Sequence, residues 1–126
     1  MGTLPNAVSL TVAVGSQLNQ TYQFTNADGT LMNITGKVFE FNIRNDPSEA
    51  KTVTPVATVT STASTSAGTI TVNTATSTVL VSVSALAMAN LTQKSYVYTL
   101  WMDQNLSDAT AMVSGTLFAV FPAAQF

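Results

Sequence analysis

Ser95-Tyr96-Val97-Tyr98-Thr99-Leu100-Trp101-Met102 is the stretch on which the fold turns. Aromatic and β-branched residues alternate here with a period of two, which is the signature of a strand and not of a helix. The alternation places Tyr96, Tyr98, Leu100 and Met102 on one face, and Val97, Thr99, Trp101 and Asp103 on the other. Tyr96, Tyr98 and Leu100 are the bulkier set and are expected to face a core, which makes this the central strand. Trp101 is then expected on the outside, and a large aromatic on an outer surface is the first functional clue.

Composition bounds what surrounds that strand. At 126 residues the chain is expected to form one domain, 1–126, with an N-terminal arm (1–7) and a C-terminal tail (122–126). Only four Lys plus Arg and six Asp plus Glu are present, so 8% of residues are charged, where about 25% is usual. Ser and Thr, roughly a quarter of the chain, must supply the exterior instead. A net charge of -2 gives no basic footprint, so nucleic acid is not an expected partner. Weak charge also removes protection against self-association, which suits a subunit that works assembled.

Cys and His are both absent. The chain therefore has no disulfide, no thiolate nucleophile and no imidazole base. No apolar run is long enough to span a membrane, so no membrane association is expected. Met1-Gly2-Thr3-Leu4-Pro5-Asn6 lacks the layout of a secretory signal and the hydroxyl residue of a myristoylation motif. Synthesis and folding in a cytoplasm are expected.

Working outward, Ala7 to Val14 places Val8, Leu10, Val12 and Val14 on one face of a strand. Gln20 to Thr25 is a second strand, with Tyr22 and Phe24 on one face, closed by the turn residues Asn26-Ala27-Asp28-Gly29-Thr30. Lys37 to Arg44 puts Phe39, Phe41 and Ile43 inward and Lys37, Glu40, Asn42 and Arg44 mostly outward. A loop is expected around Pro47, and Thr52 to Ser66 reads either as an edge strand, since Pro55 lacks a ladder donor, or as a partly mobile segment. Gly68–Val72 and Thr78–Val83 are two further strands, with Val79, Val81 and Val83 inward and Leu80 outward. A helical turn near residues 84–91 follows, with Ser84 as its N-cap and Leu86, Ala89 and Asn90 at helical spacing. Gln104 to Asp108 is a polar tip, and Ala111 to Phe121 is the last strand. Seven to nine strands with this spacing of turns predict an all-β, immunoglobulin-like Greek-key sandwich.

Several of these segments carry a family resemblance. Asp28-Gly29-Thr30, then Asn33-Ile34-Thr35-Gly36 and an aromatic strand, resembles the opening hairpin of immunoglobulin-like domains of tailed-phage virion proteins, such as the N-terminal domain of baseplate upper proteins. Val81 to Ala85, through Leu91 to Tyr96-Val97-Tyr98-Thr99-Leu100, is similar to that family's strand, helical turn and Tyr-x-Tyr strand. Gly115-Thr116-Leu117 is similar to its final strand. Trp101 stands where the family carries a polar residue. The resemblance implies a structural virion protein of a bacteriophage: a capsid decoration or cement protein, or a tail, neck or baseplate accessory. Its implied partners are major capsid or tail subunits and copies of itself.

Chemistry-bearing residues are few. An enzyme would have to draw its acid and base from Asp28, Glu40, Asp46, Glu49, Asp103 and Asp108, most of which sit on expected turns, where Asp serves as a turn former. Asp103 to Asp108 lacks the alternating ligands, central Gly and closing Glu of a calcium loop. No catalysis, metal or cofactor is expected. Four Asn-x-Ser/Thr sequons, at Asn19, Asn33, Asn90 and Asn105, are chance matches in a chain this rich in hydroxyls.

The remaining signal is apolar residues on outward positions. In the last strand, Leu117 inward sets Phe118 outward, and antiparallel pairing with the Tyr96 strand is expected to bring Trp101 and Phe118 together as an exposed patch. Leu80 and the tail residue Phe126 complete the protein-interface candidates. A rival expectation is a carbohydrate-binding module, with Trp101 and Phe118, or Tyr22 and Trp101, as the platform on which a host glycan stacks.

Overall fold

The structure is a computed structural model that describes residues 6–7, 9–46, 54–103 and 110–121. Among the described residues, nine strands and one helical turn follow in chain order. They are β1 (Asn6–Ala7), β2 (Leu10–Ala13), β3 (Leu18–Gln23), β4 (Phe39–Arg44), β5 (Ala57–Thr60), β6 (Gly68–Asn73), β7 (Thr78–Val83), α1 (Ala85–Met88), β8 (Ser95–Met102) and β9 (Thr110–Val120). The larger sheet has the order β1-β9-β8-β4-β5, with β2 also on β9, and the smaller sheet is β3-β7-β6. β1 and β2 keep one register along β9 (Asn6 opposite Val113, Leu10 opposite Leu117), so they act as a single interrupted edge strand. Nine strands thus occupy eight positions.

The chain is an all-β sandwich. In immunoglobulin terms β3, β7 and β6 take the places of strands B, E and D, while β9, β8, β4 and β5 take those of G, F, C and C′. The first strand runs parallel to the last.

The alternation expected for the central strand holds. Tyr96, Tyr98 and Leu100 are buried, as are Phe39, Phe41 and Ile43 on β4 and Val79, Val81 and Val83 on β7. These inner faces meet in one core that also contains Leu10, Val12, Val14, Tyr22 and Phe24. Each such side chain, fully buried, contributes on the order of 1.5–3 kcal/mol. Val8, also expected there, lies outside the described residues, as do the Pro47 loop and the Gln104 to Asp108 tip.

Aromatic packing stands in for the covalent staple that an immunoglobulin sandwich often carries between its sheets. Phe24, just past β3, stacks on Phe39 of β4 across the sheets at 6.0 Å, while within the larger sheet Phe41 packs on Tyr98 with ring centroids 5.5 Å apart. Tyr22 lies beside Tyr98, and burial raises the pKa of both phenols, so both stay neutral in the physiological range. Two residues before Tyr98, the Tyr96 hydroxyl accepts hydrogen bonds from the backbone N–H groups of Thr92 (2.6 Å) and Gln93 (2.8 Å). That is the tyrosine corner of this architecture.

Local chemistry sets the corners. Gly29 adopts φ +88 in the turn after β3, and the Asp28 carboxylate accepts from the Thr30 N–H and hydroxyl. Gly68 opens β6 at φ +136, where a Cβ would come within 2.0 Å of the Ser82 carbonyl oxygen, so only glycine fits. Ser84 caps α1 through its hydroxyl, which accepts from the Ala87 N–H. The helical turn differs from expectation in its buried face. Ala87, Met88 and Leu91 face the core, while Leu86 is 71% exposed, because a single turn can present only a narrow stripe to the sheets.

Candidate functional site

The outer face of the larger sheet carries the residues singled out by the sequence. On β9, Leu117 and Ala119 are buried, so the alternate positions Phe118 and Val120 face outward, 46% and 51% exposed, and Phe121 beyond them is 47% exposed. Their neighbours explain the exposure. Phe118 lies between Thr11 on β2 and Ser95 on β8, and Val120 lies beside Ala13. None of these side chains is long enough to cover a phenyl ring. Phe118 and Val120 form an apolar corner on the outer surface, and Phe121 is exposed just past the end of β9.

Trp101 is also outward, but it is half-buried and belongs to a different part of the face. It lies opposite Glu40 on β4 and Ala111 on β9, next to a register shift after Leu100. Phe118 lies opposite Ser95, six residues away along β8, or roughly 20 Å at the rise of an extended strand. The expected Trp101–Phe118 patch is therefore corrected to two separate ends of one face. Antiparallel pairing fixes which strands are adjacent, whereas register decides which residues meet.

A polar lattice braces the Trp101 end. Asn42, expected mostly outward, is on the outer face yet only 2% exposed. Its amide donates to Glu40 Oε2 at 3.0 Å, and its carbonyl oxygen accepts from the Thr58 hydroxyl at 2.8 Å. Asp103 closes this end. Its Oδ1 accepts from the Val38 N–H (3.1 Å), its Oδ2 pairs with Lys37 Nζ (3.3 Å), and its own N–H donates to the Val38 carbonyl (2.7 Å). Asp103 adopts φ +55 to do so, a conformation that Asp tolerates better than most residues. The period-two pattern placed Asp103 on the Trp101 face and its residue type suggested a turn. Its burial was not visible until β4 came alongside.

The other candidates separate. Leu80 faces outward as expected, 38% exposed, on the middle strand of the smaller sheet between Thr21 and Thr71. It is thus a lone apolar residue on a hydroxyl-rich face, on the opposite side of the sandwich from Trp101. Phe126 lies outside the described residues. Tyr22 is in the core, so it cannot share a sugar platform with Trp101, and the distance between Trp101 and Phe118 removes the other ring pair. Val120 and Phe121 were not singled out beforehand. The signal available was that Val120 shares the parity of Phe118.

The carboxylates of Asp28, Asp103 and Glu40 do structural work. Asp28 holds its own turn, and its hydrogen bonds from Thr30 keep its carboxyl below the usual range. Asp103 joins two strands, and Glu40 holds Asn42. No group of three or more Asp or Glu residues able to hold a metal occurs among the described residues. Clefts among the described residues include these two. One, of about 510 Å³, lies between the ends of the sheets and is lined by Phe24, Met32, Met102, Met112 and neighbouring Thr and Asn residues. The other, of about 290 Å³, lies between β5 and α1 and is lined by Pro55, Val56, Leu86 and Asn90 among others. Neither lining includes a titratable side chain. No helix among the described residues is long and apolar enough to cross a membrane. Comparison with protein-family models and with curated proteins finds no match for this chain.

Proposed function

We infer that this chain is a non-enzymatic structural subunit of a tailed-phage virion that docks on the particle by protein-protein contact. Its first assignment is a capsid decoration or cement protein, and its second a tail, neck or baseplate accessory. The virion setting comes from the resemblance of the Asp28 turn, the helical turn and the Tyr-x-Tyr strand. One observation carries the docking role: Phe118 and Val120 lie exposed on the outer face of β9 beside an edge strand with no charged residue, with Phe121 exposed at the strand's end. An exposed apolar patch built on an aromatic, with no charge among its cross-strand neighbours, has the composition of an interface centre.

The experiment is reconstitution. Purified chain is added to particles prepared without it, and its occupancy is measured by imaging. Phe118→Ser is expected to lower occupancy at least about tenfold, in line with the loss of a central aromatic contact. Equal occupancy of the variant removes the corner from the argument. Binding of the isolated chain to a glycan array that is lost with Trp101→Ser would replace this reading with the carbohydrate-binding one.

A further inference from the structure

The strands at the sheet edges share an unusual property. β1, β2, β5, β3 and β6 contain no Lys, Arg, Asp, Glu or Pro. Soluble sandwiches ordinarily protect such edges with charge, proline or a bulge, because an open edge is a template for another strand. Three of the edges are shortened or partly occupied. On the β1/β2 edge the Ala13 carbonyl accepts from the Ser16 N–H, on β6 Gly68 exchanges two backbone hydrogen bonds with Thr65, and β5 is only four residues long.

β3 is different. Its six residues pair with β7 on one side, and no described strand lies on the other. Hydrogen-bond phase shows which residues are open. The Phe24 N–H donates to the Ser77 carbonyl at 2.9 Å, in register with the β3–β7 ladder. Alternate residues Tyr22, Gln20 and Leu18 therefore turn their backbone groups toward β7. Asn19, Thr21 and Gln23 turn theirs outward.

We propose that β3 is a homodimerisation edge, pairing antiparallel with β3 of a second copy about a two-fold axis through Thr21. The occupant follows from self-complementarity. With Thr21 opposite Thr21, Asn19 meets Gln23 and Gln23 meets Asn19, so each outward-facing residue of one copy meets an outward-facing residue of the other. Each of the three pairs exchanges two backbone hydrogen bonds. The facing side chains are an amide pair, a Thr–Thr pair and a second amide pair: the Thr–Thr pair is a favourable cross-strand combination, and none of the three sets like charges opposite each other. The product is a continuous sheet of order β6-β7-β3-β3-β7-β6. A two-fold of this kind closes on itself and leaves the apolar corner of the larger sheet free in both copies.

The test is sedimentation velocity on the full chain over a concentration series, with amide hydrogen exchange read at Asn19, Thr21 and Gln23. The expected result is a monomer–dimer equilibrium in which these three amides gain protection as concentration rises. Thr21→Pro removes an N–H that the β7 ladder does not use, and is expected to weaken dimerisation at least about tenfold. Thr21→Val keeps the backbone and the β-branch and is expected to dimerise like the parent. A parent chain that stays monomeric, or a dimer in which these amides exchange freely, overturns the proposal whether or not the proline variant folds. A dimer lost with Phe118→Ser but kept with Thr21→Pro also overturns it, and moves self-association to the corner on which particle docking rests. Failure of particle docking with an intact β3 dimer would refute only the docking reading.

Discussion

Trp101 and Phe118 occupy the same sheet face on adjacent strands, yet they live in different surroundings. Around Trp101 the neighbouring strands supply Glu40, and beside it Asn42, Thr58, Lys37 and Asp103 are tied by short hydrogen bonds and an ion pair. Around Phe118 they supply only Thr11 and Ser95. The indole is half covered and the phenyl ring is open. Outward parity by itself does not make a binding surface. The cross-strand neighbours decide whether an outward aromatic is part of the scaffold or available to a partner.

The contrast can be broken first at Asp103. Asp103→Ala removes a buried acceptor for Val38 N–H and the partner of Lys37, and places alanine at positive φ, so it is expected to cost about 3 kcal/mol in urea unfolding. A loss below about 0.5 kcal/mol would mean that the Trp101 end is not braced as described. Tyr96→Phe tests the inner anchor of the other end, since Tyr96 lies opposite Leu117. It leaves the N–H groups of Thr92 and Gln93 without their acceptor and is expected to cost roughly 2 kcal/mol by the same measurement.

Smaller effects sharpen the same contrast. Trp101→Ser is expected to cost about 1 kcal/mol because part of its ring is covered. Phe118→Ser is expected to stay within about 0.5 kcal/mol of the parent and to act on association alone. Equal stability losses for the two would erase the distinction between the ends. Smallest is the Asp28 turn. Its carboxyl titrates below the ordinary range in the folded chain, so its contribution is present above the unfolded-state pKa and is lost as pH falls through the folded value. Asp28→Asn should slightly lower the melting temperature at neutral pH, where that contribution is present, leave strongly acid pH unaffected, and so flatten the acid-side decline.

Much of the fold was legible from residue order. The inward sets on β4, β7 and β8 follow from period-two alternation of large apolar residues, and a turn at Asp28-Gly29 follows from its chemistry. The candidate site was legible only in part. Phe118 was placed outward correctly because Leu117 is the better core residue. The pairing of Trp101 with Phe118 was not, since a strand's parity carries no information about how far along its neighbour a given residue lies.

The sequence by itself determined which side chains seek the interior, the all-β class and the near absence of charge at the surface, because these depend only on local alternation and composition. Tertiary structure alone decided that Asn42 and Asp103 are buried, that Phe118 and Val120 are left uncovered by their neighbours, and that Asn19, Thr21 and Gln23 carry the open backbone groups of β3. Each of those is a matter of register and hydrogen-bond phase between segments distant in the chain, and both are set only when whole strands pack against one another.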